Sequence, residues 1–507
     1  MEALILLALP LLPLAAAAAL LFVPKERENL FRRVNVGVTG LTLAGSVLLF
    51  CRFPAGSPDY AFVFRRNWIP ALGISYQTGV DGIGMTLVLL LALVSTSGAF
   101  VSLWIRERVK EYTIFYFILV ASIYGVFTSL DLFFLYLFYE MSVIPMYPLI
   151  GIWGSGSTGS PSLEPSRAKS RDPGKEYASM KLTVYITAGA VLALAGILSL
   201  YGASGLETFD LIAIRRILAE RPIAAGLQHW VAPFLLFGFG VIASLWPLHS
   251  WSPIGYAAAP SAVSMLHAGV LKKMGPYLMI RLAFTFLPEG ARAWFPWIAL
   301  LASINILYAA FAAIDQKDLK FLIGFSSVSH MGYVLLGIAS ANVTALTGAV
   351  FLMFSHGVMA ASAFALVGYL YEKTHTRQVP ELGGLAKKLP FISTCFVMTA
   401  LASAGVPGFS NFVSELLIFL GAWDVYRWPA VAAVVGILFT AVYLLRAVRK
   451  VFFGPLERDW HEVKDPAGFS GRLPYILLLG SLLLFGFWPQ GLLRLIEPSV
   501  SLLLGGS

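Results

Sequence analysis

Charge is what this sequence has least of. Only 12% of its residues are Asp, Glu, Lys or Arg and 58% are apolar, whereas a water-soluble domain carries roughly a quarter charged residues. A chain so poor in charge is read as a polytopic membrane protein. Its positive balance is scattered through short loops rather than massed on one face, which argues against a nucleic-acid-binding surface. Cysteine is almost missing as well. Cys51 and Cys395 stand far apart, so neither a metal-binding spacing nor a disulfide framework is available. No Gly-x-Gly-x-x-Gly unit follows a strand, and neither a cysteine quartet nor an obvious haem-ligand pair is present, so redox chemistry in this chain is not supported. Any energy source must lie in partners. A basic leader is lacking too: Met1-Glu2 runs straight into apolar sequence, so residues 2–23 are expected to be a retained span and not a cleaved signal peptide.

What is present is a succession of long apolar runs. A span needs about 20 apolar residues. That rule places spans near 2–23, 34–53, 82–105, 112–129, 132–153, 178–202, 231–250, 257–283, 293–314, 320–340, 344–371, 391–421, 430–453 and 473–490. Fourteen spans put both termini on one side. Lys and Arg gather in the loops after the odd-numbered spans: Lys25 to Arg33, Arg106 to Lys110, Arg167 to Lys175, Lys317 and Lys320, Lys373 to Lys388, and Arg446 to Arg472. The positive-inside rule makes those loops cytoplasmic and both termini non-cytoplasmic. A bacterial inner (plasma) membrane is the expected location. The Ser, Gly and Pro in Gly154 to Lys175 read as a flexible loop. Glu207 to Glu220 reads as an interfacial amphipathic helix, and Leu492 to Leu504 as a short segment along the membrane surface.

The chain is organised around Phe234 to Arg281. Two apolar segments flank Pro247-Leu248-His249-Ser250-Trp251-Ser252-Pro253. Pro247 removes a helix hydrogen bond, and a helix broken inside a bilayer is tolerated only where its freed backbone faces protein or a wet cavity. Lys272 and Lys273 follow, deep in apolar sequence. A buried ammonium is costly and points to an ion or proton path; the bland alternative is a pair snorkelling from a helix end. Glu140 lies in an aromatic span, with Lys181 and the Lys272–Lys273 pair as candidate partners. Glu415 follows a second break at Gly405-Val406-Pro407-Gly408. His330 and His356 lie on successive spans among Ser326, Ser327, Ser329 and Ser355 and suggest a hydrated polar axis, since histidine relays protons near neutral pH. His267 is a weaker candidate for such a relay, and His249 and His375, which fall at loops, read as structural. Spans four to eight and nine to thirteen each hold a buried glutamate and a broken helix, the mark of transporters built from repeats. Five spans per repeat would invert one copy relative to the other.

At these residues the chain resembles the antiporter-like subunits of NADH–quinone oxidoreductase, respiratory complex I, and among them subunit M (chain 4). The likeness is carried by DLFFLYLFYEMSVIPMY from Asp131, DLKFLIGFSSVSHMGY from Asp318, LYEKTHTR from Leu370, the Gly383-Gly384-Leu385 turn, GVPGFSNFVSE from Gly405, and Asp81 in Gly79-Val80-Asp81-Gly82. It runs from about residue 78 to 455. The resemblance implies an all-α fold of about fourteen transmembrane helices, with two inverted five-helix repeats around broken helices 7 and 12. It divides the chain into residues 1–111 (helices 1–3), 112–285 (first repeat), 286–455 (second repeat) and 456–507 (helix 14 and a surface segment). It also implies proton translocation driven by quinone reduction elsewhere in the complex. NADH, FMN, iron–sulfur clusters and quinone are expected in partner subunits, with none in this chain. The implied proton path is Glu140 with Lys181 or Lys272 as input, Lys273 as central relay, His330 and His356 as the axis, and Glu415 as the output acid.

One departure stands out. Family members usually carry a lysine seven residues before the helix-seven histidine; here Ile242 stands at that spacing before His249. The same core would also serve a cation/proton antiporter, a membrane-bound hydrogenase complex, or a non-pumping structural paralogue.

Overall fold

The computed structural model describes residues 1–54, 56–155, 174–205, 208–456, 458, 460 and 463–505. The serine-rich loop expected to be flexible falls largely outside these residues, as does Glu207.

Helix α1 (Glu2–Leu21) and α2 (Glu28–Arg52) lead into a hairpin of β1 (Ala61–Ile69) and β2 (Ile74–Val80). Then follow α3 (Gly82–Val101), α4 (Val109–Thr128), α5 (Leu132–Trp153), α6 (Lys175–Ser204), the short α7 (Leu211–Glu220) and α8 (Ala225–Ala243). The middle of the chain is α9 (Trp251–Ala258), α10 (Ser261–Gly269), α11 (Met274–Leu278), α12 (Pro288–Ile314), α13 (Leu319–Ala339) and α14 (Val343–Thr374). It closes with α15 (Pro390–Ser403), α16 (Ser410–Val425), α17 (Arg427–Phe452), α18 (Gly468–Phe487) and α19 (Gln490–Leu503). Among the described residues twelve helices are long and apolar enough to cross a membrane. The expected spans 257–283 and 391–421 are each assembled from shorter pieces.

The helical fold carries one small addition. Residues 61–80 form an antiparallel hairpin, whose alternating polar residues carry no span-length apolar run. The interior is built from α3, α4, α13 and α14, whose apolar stretches are mostly buried, together with the short α10 and α11, while α1, α2, α6, α12, α17 and α18 leave most of theirs on the outside. Lipid is as apolar as leucine, so outward Leu and Val cost nothing, and helices associate through close packing of small residues. Gly269 of α10 and Gly357 of α14 meet in this way: a Cβ on Gly269 would sit 2.9 Å from the Gly357 carbonyl oxygen.

The two repeats leave a local signature. Asp131 caps α5, accepting from the Phe133 and Phe134 amides, and Asp318 caps α13, accepting from the Lys320 and Phe321 amides. Each aspartate bridges a strand-like residue beyond the next long helix, Asp131 with Asp210 and Asp318 with Gln378. The ladders correspond bond for bond. Leu132 N donates to Phe209 O and Leu211 N to Leu130 O; Leu319 N donates to Arg377 O and Val379 N to Lys317 O.

The helix breaks match as well. Ser244 and Gly405 both adopt left-handed backbone, with φ of 62° and 67°. Each is followed by an amide reaching five residues back, Leu245 N to Gly240 O and Val406 N to Leu401 O, the helix-ending arrangement that satisfies orphan carbonyls. The first break therefore begins at Ser244, three residues before Pro247, where its position had been expected. A third interruption was not anticipated. After Gly269 the chain turns at Val270, continues as a 3-10 turn over Leu271–Lys273, and ends in a π-helical segment, Met279–Phe284. The junction expected near Ala257 lies at Ala259-Pro260. Helix α19 docks one face through Leu492, Leu495, Ile496 and Ser499, the last accepting from the Gly82 amide, so it is anchored to the start of α3.

Candidate functional site

Lys272 and Lys273 are both 0% exposed, and the snorkelling alternative falls. The interruption at Val270 places them. Because Gly269 and Gly357 let α10 and α14 approach closely, the turn after α10 sends Lys273 against α14. Its Nζ lies 2.9 Å from His356 Nδ1 and 2.5 Å from the Ala268 carbonyl oxygen. An ammonium only donates. With Lys273 charged, Nδ1 must accept, and the neutral ring keeps its proton on Nε2, which has no protein partner.

The rings of His356 and His330 lie 5.1 Å apart. His330 Nδ1 is 2.8 Å from Ser326 O and Nε2 is 3.1 Å from Ser403 O. Both partners are carbonyl oxygens, and a neutral imidazole has one N–H, so only the doubly protonated ring satisfies both contacts. In either protonation state His330 Nε2 lies 3.7 Å from Glu415 Oε1. Glu415 is 1% exposed. Its neighbour across the break is Gly405, where a Cβ would press on the carboxylate, so this position demands glycine for its backbone and for space. Both Glu415 oxygens, the Asn411 side-chain amide, Ser403 Oγ and Ser410 Oγ are buried without a protein hydrogen bond. Interiors satisfy such atoms with water. Lys273, His356, His330 and Glu415 thus form one continuous polar line across the second half of the molecule, along helices whose remaining faces are apolar.

The first half is organised differently. Lys272 Nζ lies 3.4 Å from Ser327 Oγ and 5.4 Å from the centre of the Tyr256 ring. Around the break, Ser244 Oγ, Ser252 Oγ, Tyr256 Oη and His249 Nδ1 are buried without partners. His249, which the sequence suggests is only a loop residue, sits within electrostatic reach of both Lys272 and Lys181. His267, the weaker relay candidate, is fully buried with neither ring nitrogen in a hydrogen bond.

The expected pairing of Glu140 with a lysine is not formed. Glu140 is half-buried and accepts from Tyr136 Oη at 2.7 Å, and it makes no ion pair among the described residues. Lys181 lies over the rings of Tyr177 and Tyr185, 5.8 Å from each. The reason is geometric. Tyr136, one helical turn before Glu140, fills one acceptor site on Oε1, while the Lys181 side chain is directed to the Tyr177 and Tyr185 rings instead. Ile242 is fully buried, and its Cγ2 packs on Gly275 of α11.

Two buried ion pairs were not read from the sequence. Arg281, in the π-helical segment, grips Asp81 with both guanidinium nitrogens, and Asp81 also caps α3 by accepting from the Gly84 amide. Arg377 pairs with Asp318 through Nε at 2.5 Å and donates to Ala257 O at 2.8 Å, while Lys320 Nζ donates to Ala259 O at 2.6 Å. Two cations thereby hold the C-terminal carbonyls of α9, where the helix dipole favours positive charge. The available signal was an aspartate directly before each helix, which reads as a cap but not as an ion-pair partner.

The model of a family described as the transmembrane region of NADH:quinone oxidoreductase and Mrp antiporters matches residues 129–440. The NADH-quinone oxidoreductase subunit M of Rhodobacter capsulatus is 34% identical over 97% of this chain and 94% of its own length. This chain belongs to that family. Among solved structures, a chain of respiratory complex I from Thermus thermophilus superposes with a TM-score of 0.86 at 28% identity, covering 100% of both chains. A chain of the Mrp complex from Dietzia sp. DQ12-45-1b shares the fold, with a TM-score of 0.82 at 22% identity over 99% of this chain and 97% of that one. Every residue of the polar line lies within the region the family model matches.

Proposed function

We propose that this chain is a proton-translocating membrane-arm subunit of an NADH–quinone oxidoreductase, coupled to quinone reduction in neighbouring subunits. NADH, FMN, iron–sulfur clusters and quinone would be held by those partners. Similarity to subunit M relatives along nearly the whole chain supports the assignment. The observation that carries the transport role is the buried line Lys273–His356–His330–Glu415, with 2.9 Å, 5.1 Å and 3.7 Å between successive members. Lys273 holds a proton against His356, the two rings relay it, and Glu415 receives it beside the break of α15 and α16. Buried carboxylates and ammonium groups that face one another inside a membrane mark such paths. Both termini would lie on the non-cytoplasmic side, a reading supported by the loop charges. The four divisions 1–111, 112–285, 286–455 and 456–507 accord with the paired aspartate ladders.

The test is Glu415→Gln in the assembled complex, reconstituted in sealed vesicles. Quinone reduction in the presence of an uncoupler should continue, while fewer protons are moved per electron. An unchanged ratio would remove Glu415 from the path.

Ile242 favours a second reading, a subunit whose first half no longer pumps, because the buried isoleucine leaves Glu140 with a tyrosine alone. Under that reading Ile242→Lys should raise the proton-to-electron ratio. A ratio at or below the parent value would reject it. A cation/proton antiporter or hydrogenase-type complex would use the same line with another driving force. Genes for NADH-oxidising and quinone-binding subunits beside this one would separate those cases.

A further inference from the structure

Two consecutive lysines are fully buried here, and their side chains part. Lys273 points to α14 and His356. Lys272 points to α9 and α13, over the Tyr256 ring and towards Ser327 Oγ. An ammonium carries three donors, yet Lys272 has one long hydrogen bond and a ring face. Neither lysine makes an ion pair with a carboxylate among the described residues. Two like charges on adjacent buried residues, without a counter-charge, disfavour the doubly charged state.

The immediate partners suit a group that changes its charge. A serine hydroxyl both donates and accepts. Ser327 Oγ can accept from a Lys272 ammonium or donate to the neutral amine. The Tyr256 ring attracts the cation without fixing it as a carboxylate would. A lysine kept only for packing would be better replaced by an apolar side chain, since buried charges are poor sources of stability.

We propose that Lys272 is a second proton-carrying group, and that the Lys272–Lys273 pair holds a single proton charge at a time. One proton enters on the neutral Lys272 amine from water at the α8–α9 break, where Ser244, Ser252, Tyr256 and His249 present buried polar atoms without protein partners. The new ammonium repels that of Lys273. Lys273 then releases its proton to His356 Nδ1, giving an imidazolium and a neutral Lys273 amine. One proton enters the pair and one leaves, and no electron moves. The residue next to the central lysine thereby becomes the entry gate of the polar line. This inference rests on the proposed transport role of Lys273.

The experiment uses the whole complex in sealed vesicles, with Lys272→Met, Lys273→Met and the double variant compared for protons moved per electron. Lys272→Met should lower the ratio by the same amount as Lys273→Met, and the double variant should lower it no further, because the two act as one unit. Lys272→Met at the parent ratio, with Lys273→Met depressed, overturns the inference and leaves the transport role standing. Both at the parent ratio would instead overturn the transport role. Should Lys272→Met fail to assemble, Lys272→Gln keeps a donor to Ser327 without titrating. It should show the same loss, and a parent-like ratio there overturns the inference equally.

Discussion

Lys273→Met should stop proton movement through this subunit while leaving the complex assembled. Methionine is close to lysine in length and fills the same channel through the apolar packing of α10, α13 and α14. Removing a buried charge that lacks a carboxylate partner costs little stability. What disappears is the side-chain donor that faces His356 Nδ1 among the described residues, 2.9 Å away. The rings of His356 and His330 would then have no proton source in hydrogen-bond contact, and the step through this subunit should slow by roughly 100-fold or more, in the range lost when a positioned acid or base is removed. In sealed vesicles the proton-to-electron ratio should fall by this subunit's share. The uncoupled quinone reductase rate reports whether the rest of the complex is intact. A parent-like ratio with normal assembly would show that protons bypass Lys273.

The second large effect is structural. Asp81→Ala should destabilise the chain by about 3–5 kcal/mol, the usual cost of leaving one member of a buried ion pair alone. Arg281 is 5% exposed and grips Asp81 with both nitrogens. Its other close neighbours include the faces of Tyr60 and Tyr277, at 5.4 Å and 5.0 Å, which offer no full negative charge. The same aspartate caps α3, so its loss also frees a helix N-terminus, worth about 1 kcal/mol more. Because Arg281 anchors the π-helical end of the segment bearing Lys272 and Lys273, the loss should appear as reduced assembly and a lower thermal midpoint. Asp81→Leu combined with Arg281→Met should recover most of it, since removing both charges is milder than stranding one. A double variant no better than the single one would show that the pair's geometry matters beyond its charge.

The chain's chemistry could be read before its shape. Stranded charges are costly in hydrocarbon, so the Lys272–Lys273 pair, Glu415, His330 and His356 stood out by their place in apolar runs, and the structure sets Lys273, His356, His330 and Glu415 in one line. Glu140 stood out for the same reason, but its partner did not follow. Whether a carboxylate meets a lysine or a tyrosine depends on side-chain direction across helices, and Tyr136 one turn away reached it first. The interruption at Val270 was announced only by Pro276, six residues on, which has no amide to offer the Lys272 carbonyl. It arises where α10 meets α14 back to back, a contact made only in the folded molecule. Ser244 likewise hid the first break, because a serine in left-handed backbone looks like any other serine in sequence.

Apolar length and loop charge were sufficient to establish a membrane-embedded bundle of long helices with buried titratable groups, because transfer free energy depends on local composition. The hairpin at residues 61–80, the matched aspartate ladders, the Asp81–Arg281 clamp and the parting of Lys272 from Lys273 were decided by tertiary structure alone. Apart from the hairpin, whose strands are neighbours in sequence, each joins residues far apart in the chain or depends on which way a side chain leaves its helix. Local sequence carries no energy term for either.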